Sequence, residues 1–256
     1  MTKVAIITGA SSGIGFGLAA LYAQKGYSLG LIARRKQRLD NVKKELENKY
    51  KNDVVVIDCD VANRHDIFNG IRAITERFGR VDLLIVNAGI SLASPAYESN
   101  TDHFEQTIHT NVLGAGYSAY AVIPTMLEQG FGHIAVISSL AGYRGLPEAG
   151  AYCSSKAAVN AFFESMRLDL KKFNIKVSII RPGYIQSPMT DRNEFYMPFL
   201  QANDVGVKKI FKGIEKEMKI FAFPWPLAKI VQTLYFWPCW LYDLCLAGVK
   251  KKKRDV

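Results

Sequence analysis

Cysteine is scarce. The 256-residue chain has four (Cys59, Cys153, Cys239 and Cys245), with no C-x-x-C pair and no framework spacing. That excludes a disulfide-built scaffold and points to a reduced, cytoplasmic compartment. Histidine is as sparse, four residues with none at a metal-ligand spacing, so no metal is expected. Long hydrophobic runs are missing too. The longest uncharged stretch of the apolar C-terminal part, 230–242, is 13 residues, short of the roughly 18 to 20 that a membrane-spanning helix needs. Residues 3–8 read as a buried strand followed at once by a glycine loop, unlike a secretory signal. Basic-aromatic stripes and a basic recognition helix are absent, which argues against nucleic acid as a partner although the net charge is +10. Much of that excess is local: residues 250–254 supply five positive charges and Asp255 removes one.

With 49% hydrophobic and 22% charged residues, the chain has the composition of a folded domain. Short runs rich in Val and Ile, at 4–8, 28–33, 54–58, 83–87, 133–138 and 176–180, read as strands. Between them, 14–25, 36–50, 64–78, 103–129 and 152–173 carry helical patterns. Strict alternation of this kind predicts a doubly wound parallel α/β sheet, Rossmann-like, with its ligand crevice at the carboxyl ends of the strands. Beyond Ile180, four breakers (Pro182, Gly183, Pro188 and Pro198) introduce an irregular substrate loop at about 184–202. A helix over 202–218 and a last strand over 219–223 are expected next. The division predicted is a catalytic unit over 1–219 and an apolar, aromatic extension over 220–256.

Thr8-Gly9-Ala10-Ser11-Ser12-Gly13-Ile14-Gly15 joins the first strand to the first helix. Glycines there let a phosphate approach the backbone, and the helix N-terminus offers free N–H groups and partial positive charge. The alternative is a tight strand–helix turn, but the first β-to-α junction is where a dinucleotide pyrophosphate binds in this architecture. An acidic residue at the end of the second strand would bind the ribose 2′-hydroxyl of NAD. This chain has Arg34 and Arg35 instead, which suit the 2′-phosphate of NADP unless they are only a solvated basic turn.

Tyr152 and Lys156 lie four apart at the start of a helix, hence on one face. A phenol titrates near about 10, and a neighbouring ammonium favours the phenolate, which would make Tyr152 a usable general acid. Ser139, at the end of the fifth strand, is placed to hold a substrate oxygen as charge develops on it, and Ser138 is its rival by chemistry alone.

These motifs, in this order, resemble the short branch of the short-chain dehydrogenase/reductase superfamily over residues 1 to about 187. The resemblance implies that Gly9, Ser11, Ser12, Gly13, Ile14 and Gly15 form the cofactor loop and that Asp60 and Val61 contact adenine. It further implies that Asn87, Ala88 and Gly89 close the fourth strand against the cofactor, and that Asn111, Ser139, Tyr152 and Lys156 are the catalytic set. Pro182 and Gly183 would precede a nicotinamide contact through the backbone of Ile185. Ser187 stands where the family usually has threonine. Under this resemblance Ser139 orients a ketone, Tyr152 protonates it, Lys156 tunes the tyrosine and bonds the nicotinamide ribose, and Asn111 holds a water that returns the proton. Cys153 reads as a packed helix residue rather than a nucleophile, with no histidine base near it in sequence. A homodimer or homotetramer through 103–129 and 152–173 is also implied.

The C-terminal part keeps two readings open. Trp225, Trp237, Trp240 and Tyr242 beside a polybasic tail fit a segment lying in a membrane interface, and also a segment packed over the domain or against a second subunit. The first resembles lipid-acting members such as 3-ketodihydrosphingosine reductases. The function expected is NADPH-dependent reduction of a small-molecule carbonyl, with a lipid-like ketone as one form. The alternatives are a 3-oxoacyl carrier-protein reductase and a non-catalytic nucleotide-binding scaffold or sensor at a membrane surface.

Overall fold

The computed structural model describes residues 2–247. Its first apolar run, Val4–Thr8 (β1), is buried at every position, as are Ser28–Ala33 (β2) and Leu83–Val86 (β4). Strands that are apolar throughout must be covered on both faces. Joined by Val54–Asp58 (β3), Gly132–Ile137 (β5), Ile175–Pro182 (β6) and Ile220–Phe223 (β7), they form one sheet ordered β3-β2-β1-β4-β5-β6-β7. Every pairing in it is parallel.

Side chains alternate across the sheet, and the two faces collect separate cores. Ile7 and Leu31 join Leu18, Tyr22 and Ile210 on one side. Their neighbours Ile6 and Ile32 join Ile71, Val122 and Phe163 on the other. Helices α1 (Gly13–Gln24), α2 (Lys36–Tyr50) and α7 (Asn203–Glu215) cover the first face. Three more, α3 (Arg64–Phe78), α5 (Gly114–Gln129) and α6 (Gly150–Leu170), cover the second. Because β1 is flanked by β2 on one side and β4 on the other, the winding reverses there, which opens a crevice above the carboxyl ends of β1 and β4.

One predicted element changes form. The helix expected over 103–129 is three pieces: α4 (Thr101–Ile108), a π-helical segment (His109–Leu113) and α5. Such a wider turn commonly marks a functional site. Here Gly114 lets it pack against the turn between β3 and α3, since a methyl on Gly114 would come within 2.7 Å of Val61 Cγ2. The last strand expected over 219–223 is present. It is Ile220–Phe223, an edge strand paired with β6.

After Phe223 the chain forms two short helices, α8 (Trp225–Tyr235) and α9 (Cys239–Ala247), each introduced by a proline. Among the described residues no helix is long and apolar enough to cross a membrane. Arg144, just past β5, clasps both helices. Its Nη1 donates to the carbonyls of Leu234 (2.6 Å) and Trp237 (2.9 Å), and its guanidinium lies 3.8 Å from the Tyr242 ring centroid. The Tyr242 hydroxyl donates to Gly145 O at 2.5 Å. Tyr242 is thus 8% exposed and tied to the domain.

His133, on β5, has its ring against the Ser178 hydroxyl at 2.8 Å. Burial holds its pKa down to about 4, with Glu217 opposing and Lys176 assisting. Above the usual histidine pKa both folded and unfolded states are neutral and nothing is lost. As pH falls from 6.5 toward 4 only the unfolded chain takes the proton, so stability declines. Urea unfolding at pH 7 and pH 4.5 is expected to show His133 costing about 2 kcal/mol at the lower pH. His133→Asn should flatten that part of the acid limb, and an unchanged acid limb would refute the assignment.

Candidate active site

The glycine loop rises from the end of β1 directly under β4. Gly9 and Gly13 have φ of +68° and +56°, in the left-handed region that costs other residues strain. A methyl on Gly9 would stand 2.9 Å from Ala88 Cα, and one on Gly15 would run into the Gly9 carbonyl and the Asn87 side chain. Asn87 holds this packing together: its Nδ2 donates to Thr8 O at 3.0 Å and Gly9 O at 3.3 Å. The Thr8 hydroxyl accepts from the backbone N–H of Asn87 (3.0 Å) and of Ala88 (3.1 Å). Backbone is therefore bare at the start of α1, with Ser11, Ser12 and Ile14 on the loop, and a phosphate could come to van der Waals distance of it.

Arg35 reaches back to this loop. Its Nη2 donates to both Ser11 Oγ and Ser12 Oγ at 2.9 Å. Burial first, then the like charges of Arg38, Arg34 and Arg192, push its pKa below the usual guanidinium range. Arg34 is drawn instead toward Asp60, 3.5 Å from its carboxylate, whose other oxygen accepts from Ala62 N at 3.0 Å. Among the described residues Arg35 has only hydroxyl acceptors, so this cluster of guanidiniums could take an anion. Arg192, from the 3₁₀ turn Thr190–Arg192, is a member that sequence spacing did not suggest, because it arrives from more than 150 positions along the chain.

On the other side of the crevice the two serines separate. Ser138 is buried, with its hydroxyl spent on Asn160 Oδ1 (2.7 Å) and the Lys156 carbonyl (3.4 Å). Ser139 caps the 3₁₀ turn Leu140–Gly142, accepting from Ala141 N at 3.1 Å, and is hydrogen-bonded to Tyr152. Ser139, not Ser138, faces the tyrosine.

Tyr152 and Lys156 share a face of α6, yet the lysine does not bond the phenol. Its Nζ donates to Ile137 O at 3.0 Å and lies 5.8 Å from the Tyr152 ring centroid. Burial raises the Tyr152 pKa to about 12, and Ser139 is what pulls it back. The expected lowering by Lys156 is thus not met here: β5 offers a nearer acceptor, and burial brings the lysine's own pKa down to about 8. Gly89 completes this wall, since a methyl on it would stand 3.6 Å from Lys156 Nζ and 3.2 Å from Asn111 Oδ1.

Asn111, at the centre of the π segment, is buried. Its amide accepts from Ile90 N (2.8 Å) and donates to Ile90 O (2.9 Å) and Ser155 Oγ (3.0 Å). It ties the end of β4 to α6. Val61 is buried against Gly114, a packing position. Pro182 ends β6, and Gly183 N donates to Phe223 O at 2.7 Å. The Ile185 carbonyl accepts from Thr190 Oγ1 at 2.9 Å, and Ser187 lies across from Gly13, 3.4 Å from where its Cβ would be. Thr190, which accepts from Ser187 N at 2.8 Å, supplies a hydroxyl next to the one the sequence singled out. Cys153 is buried with its thiol pushed up by burial, which makes it inert.

Fold and site together have the form of a nicotinamide-dinucleotide oxidoreductase: a switch-point crevice with a glycine loop on one wall and a serine–tyrosine–lysine group on the other. The family model described as short chain dehydrogenase matches residues 3–195, and the chain belongs to that family. An uncharacterized oxidoreductase of Myxococcus xanthus is 36% identical over 241 residues, covering 94% of this chain and 95% of that protein. Among solved structures, an alcohol dehydrogenase from the archaeon Thermococcus sibiricus, complexed with 5-hydroxy-NADP, superposes with a TM-score of 0.78 at 26% identity over 87% of this chain and 95% of that one. A short chain dehydrogenase/reductase from Burkholderia phymatum, in complex with NAD, reaches 0.83 at 24% identity over 99% and 97%.

Proposed function

We propose that this enzyme reduces a ketone or aldehyde to an alcohol using NADPH. The observation that carries the reading is Tyr152, hydrogen-bonded to Ser139 at the carboxyl edge of the sheet, across the crevice from a glycine loop overlaid by Arg35. Bound NADPH supplies the hydride to the carbonyl carbon. The rest falls to this chain. Ser139 holds the carbonyl oxygen, and Tyr152 passes its proton to that oxygen as charge accumulates there. A phenol held near about 12 stays protonated at neutral pH, the form a reductive general acid needs. Ser139, the one group that lowers the phenol's pKa, stabilises the phenolate left behind, and Lys156, charged below about pH 8, would take the ribose hydroxyls. Asn111 keeps β4 and α6 in register, and a water beside it and Lys156 returns the proton from solvent. Arg35, with Arg34 and Arg192 near it, takes the 2′-phosphate, which supports NADP over NAD. Asp60, Ile185 and Ser187 line the remaining length of the dinucleotide.

Consumption of NADPH against NADH, with a panel of aliphatic ketones, aldehydes and a 3-oxoacyl thioester, tests the reading. NADPH-linked reduction of free carbonyls is expected, whereas activity confined to the thioester assigns the carrier-protein alternative. No turnover with cofactor bound assigns the scaffold. The intact Ser139, Tyr152 and Lys156 speak against the last, since binding alone needs no acid.

A second reading, peripheral membrane contact and a lipid-like ketone, is favoured by the exposure of Trp225 (71%), Phe236 (83%), Trp240 (69%) and Leu244 (69%) on α8, α9 and their junction. The basic residues 250–254 would add attraction to anionic lipid. Flotation with anionic liposomes is expected to carry the full chain, and recovery equal to that without liposomes would remove this reading. Exposed Tyr120 on α5 and Leu168 on α6 support a homodimer or homotetramer through those helices.

A further inference from the structure

A buried cation stands apart from the crevice. Arg181, the penultimate residue of β6, is 8% exposed, yet its guanidinium meets only neutral groups: Nε donates to Asn160 Oδ1 at 3.1 Å and Nη1 to the Tyr143 hydroxyl at 2.8 Å. Among the described residues it has no carboxylate partner, and Nη2 has no acceptor. Nη2 is not among the side-chain nitrogens shut off from water, so the guanidinium presents an unpartnered donor edge that an anionic acceptor can meet. The acceptors nearby are already spent. Asn160 Oδ1 also accepts from Ser138, and the Tyr143 hydroxyl also accepts from Gln232 Nε2 at 3.1 Å, so the tyrosine's own hydrogen is left over.

These donors line a recess of about 580 Å³ between α6 and α8. Its other walls are apolar or aromatic, with Ala157 and Ala161 on one side and Tyr235 and Phe236 on the other. The one acid at its edge, Glu164, is turned to Arg167 at 3.5 Å. Tyr235 and Phe236 are 56% and 83% exposed, large apolar surfaces with nothing over them among the described residues. A ligand that satisfies both ends carries an anionic, acceptor-only head and an aliphatic body.

We propose that this recess is a second binding site, for a medium- or long-chain carboxylate, with the head on Arg181, Tyr143 and Gln232 and the chain along Tyr235 and Phe236. None of its lining residues belongs to the glycine loop or the catalytic set, so the site stands whether or not the reductase reading does. A carboxylate supplies the counter-charge that Arg181 lacks and takes up the leftover hydrogen of Tyr143. The chain dehydrates the two exposed rings.

Calorimetric titration of the full-length protein with octanoate, octan-1-ol and inorganic phosphate tests this. Octanoate is expected to bind one per chain, at least tenfold tighter than the alcohol, which lacks the charge, or phosphate, which lacks the chain. Gln232→Glu places a fixed carboxylate beside Arg181. It should raise the thermal midpoint and weaken octanoate at least tenfold, while Tyr143→Phe weakens it several-fold. Saturation with NADP should leave octanoate affinity unchanged, which separates this recess from the crevice. Equal affinity for octanoate and octanol, octanoate binding unaltered by Gln232→Glu, competition by NADP, or no binding at all would each overturn the proposal. So would tighter phosphate than octanoate, which assigns the recess to a free anion. Octanoate binding that vanishes as protein concentration and self-association rise would assign it to a second copy.

Discussion

Tyr152→Phe is expected to cut carbonyl turnover about a thousandfold, within the 10²–10⁴ range typical of a positioned general acid, while NADPH affinity stays within about twofold. The two effects separate because of what the substitution removes. The phenyl ring keeps its place in the first turn of α6, above Lys156. Only the hydroxyl that meets Ser139 is lost. Nothing in the glycine loop or the arginine cluster touches it. Ser139→Ala should cost less alone, and the double variant should be little worse than Tyr152→Phe, since the two hydroxyls act on one oxygen. Turnover is read from NADPH absorbance, and affinity from quenching of protein fluorescence. A variant retaining more than a tenth of wild-type turnover would remove Tyr152 from the chemistry.

Arg35→Ala should lower kcat/KM with NADPH by roughly 30- to 100-fold and change the value with NADH by less than about threefold. The size follows from losing charge-assisted hydrogen bonds to a phosphate, worth about 1.5 to 3 kcal/mol. Arg35 is the member of the cluster that lies on the loop, through Ser11 and Ser12. Arg34 is partly occupied by Asp60, and Arg192 approaches from the substrate loop, so neither replaces it fully. Relief of like-charge repulsion within the cluster should leave thermal stability level or slightly raised. Equal losses with both cofactors would show that Arg35 only shapes the loop, and the 2′-phosphate assignment would fall.

Much of the architecture was legible because the strands are covered on both faces. Burial of that kind demands unbroken apolar runs, and those at 4–8 and 28–33 coincide with β1 and β2, while the run at 54–58 coincides with β3, a half-buried edge strand. The loop at residues 8–15 was legible because its glycines answer a local requirement, backbone too close to other backbone for a side chain. The π segment was not. Its cause lies in Asn111 reaching Ile90 and Ser155 across the fold, and a helical pattern over 103–129 carries no trace of those partners. Ser138 and Ser139 were equivalent as letters, and the side to which each hydroxyl turns made them different. Spacing put Tyr152 and Lys156 on one face correctly. It did not foresee that the Ile137 carbonyl would claim the lysine.

What the sequence determined by itself were the things set by neighbours along the chain: strand and helix periods, turn glycines, the i, i+4 pair, and the prolines that divide the C-terminal part into α8 and α9. What only the tertiary structure decided were the things set by partners far apart in sequence. Arg192 comes to Arg35, Tyr242 comes to Arg144 and takes the C-terminal helices onto the domain, and Arg181 is buried with no acid paired to it among the described residues. The reason is one of range. Backbone propensities act over a few residues, whereas the charge a side chain feels, and the pKa it adopts, depend on whichever groups folding brings within a few ångströms and on how much water it removes.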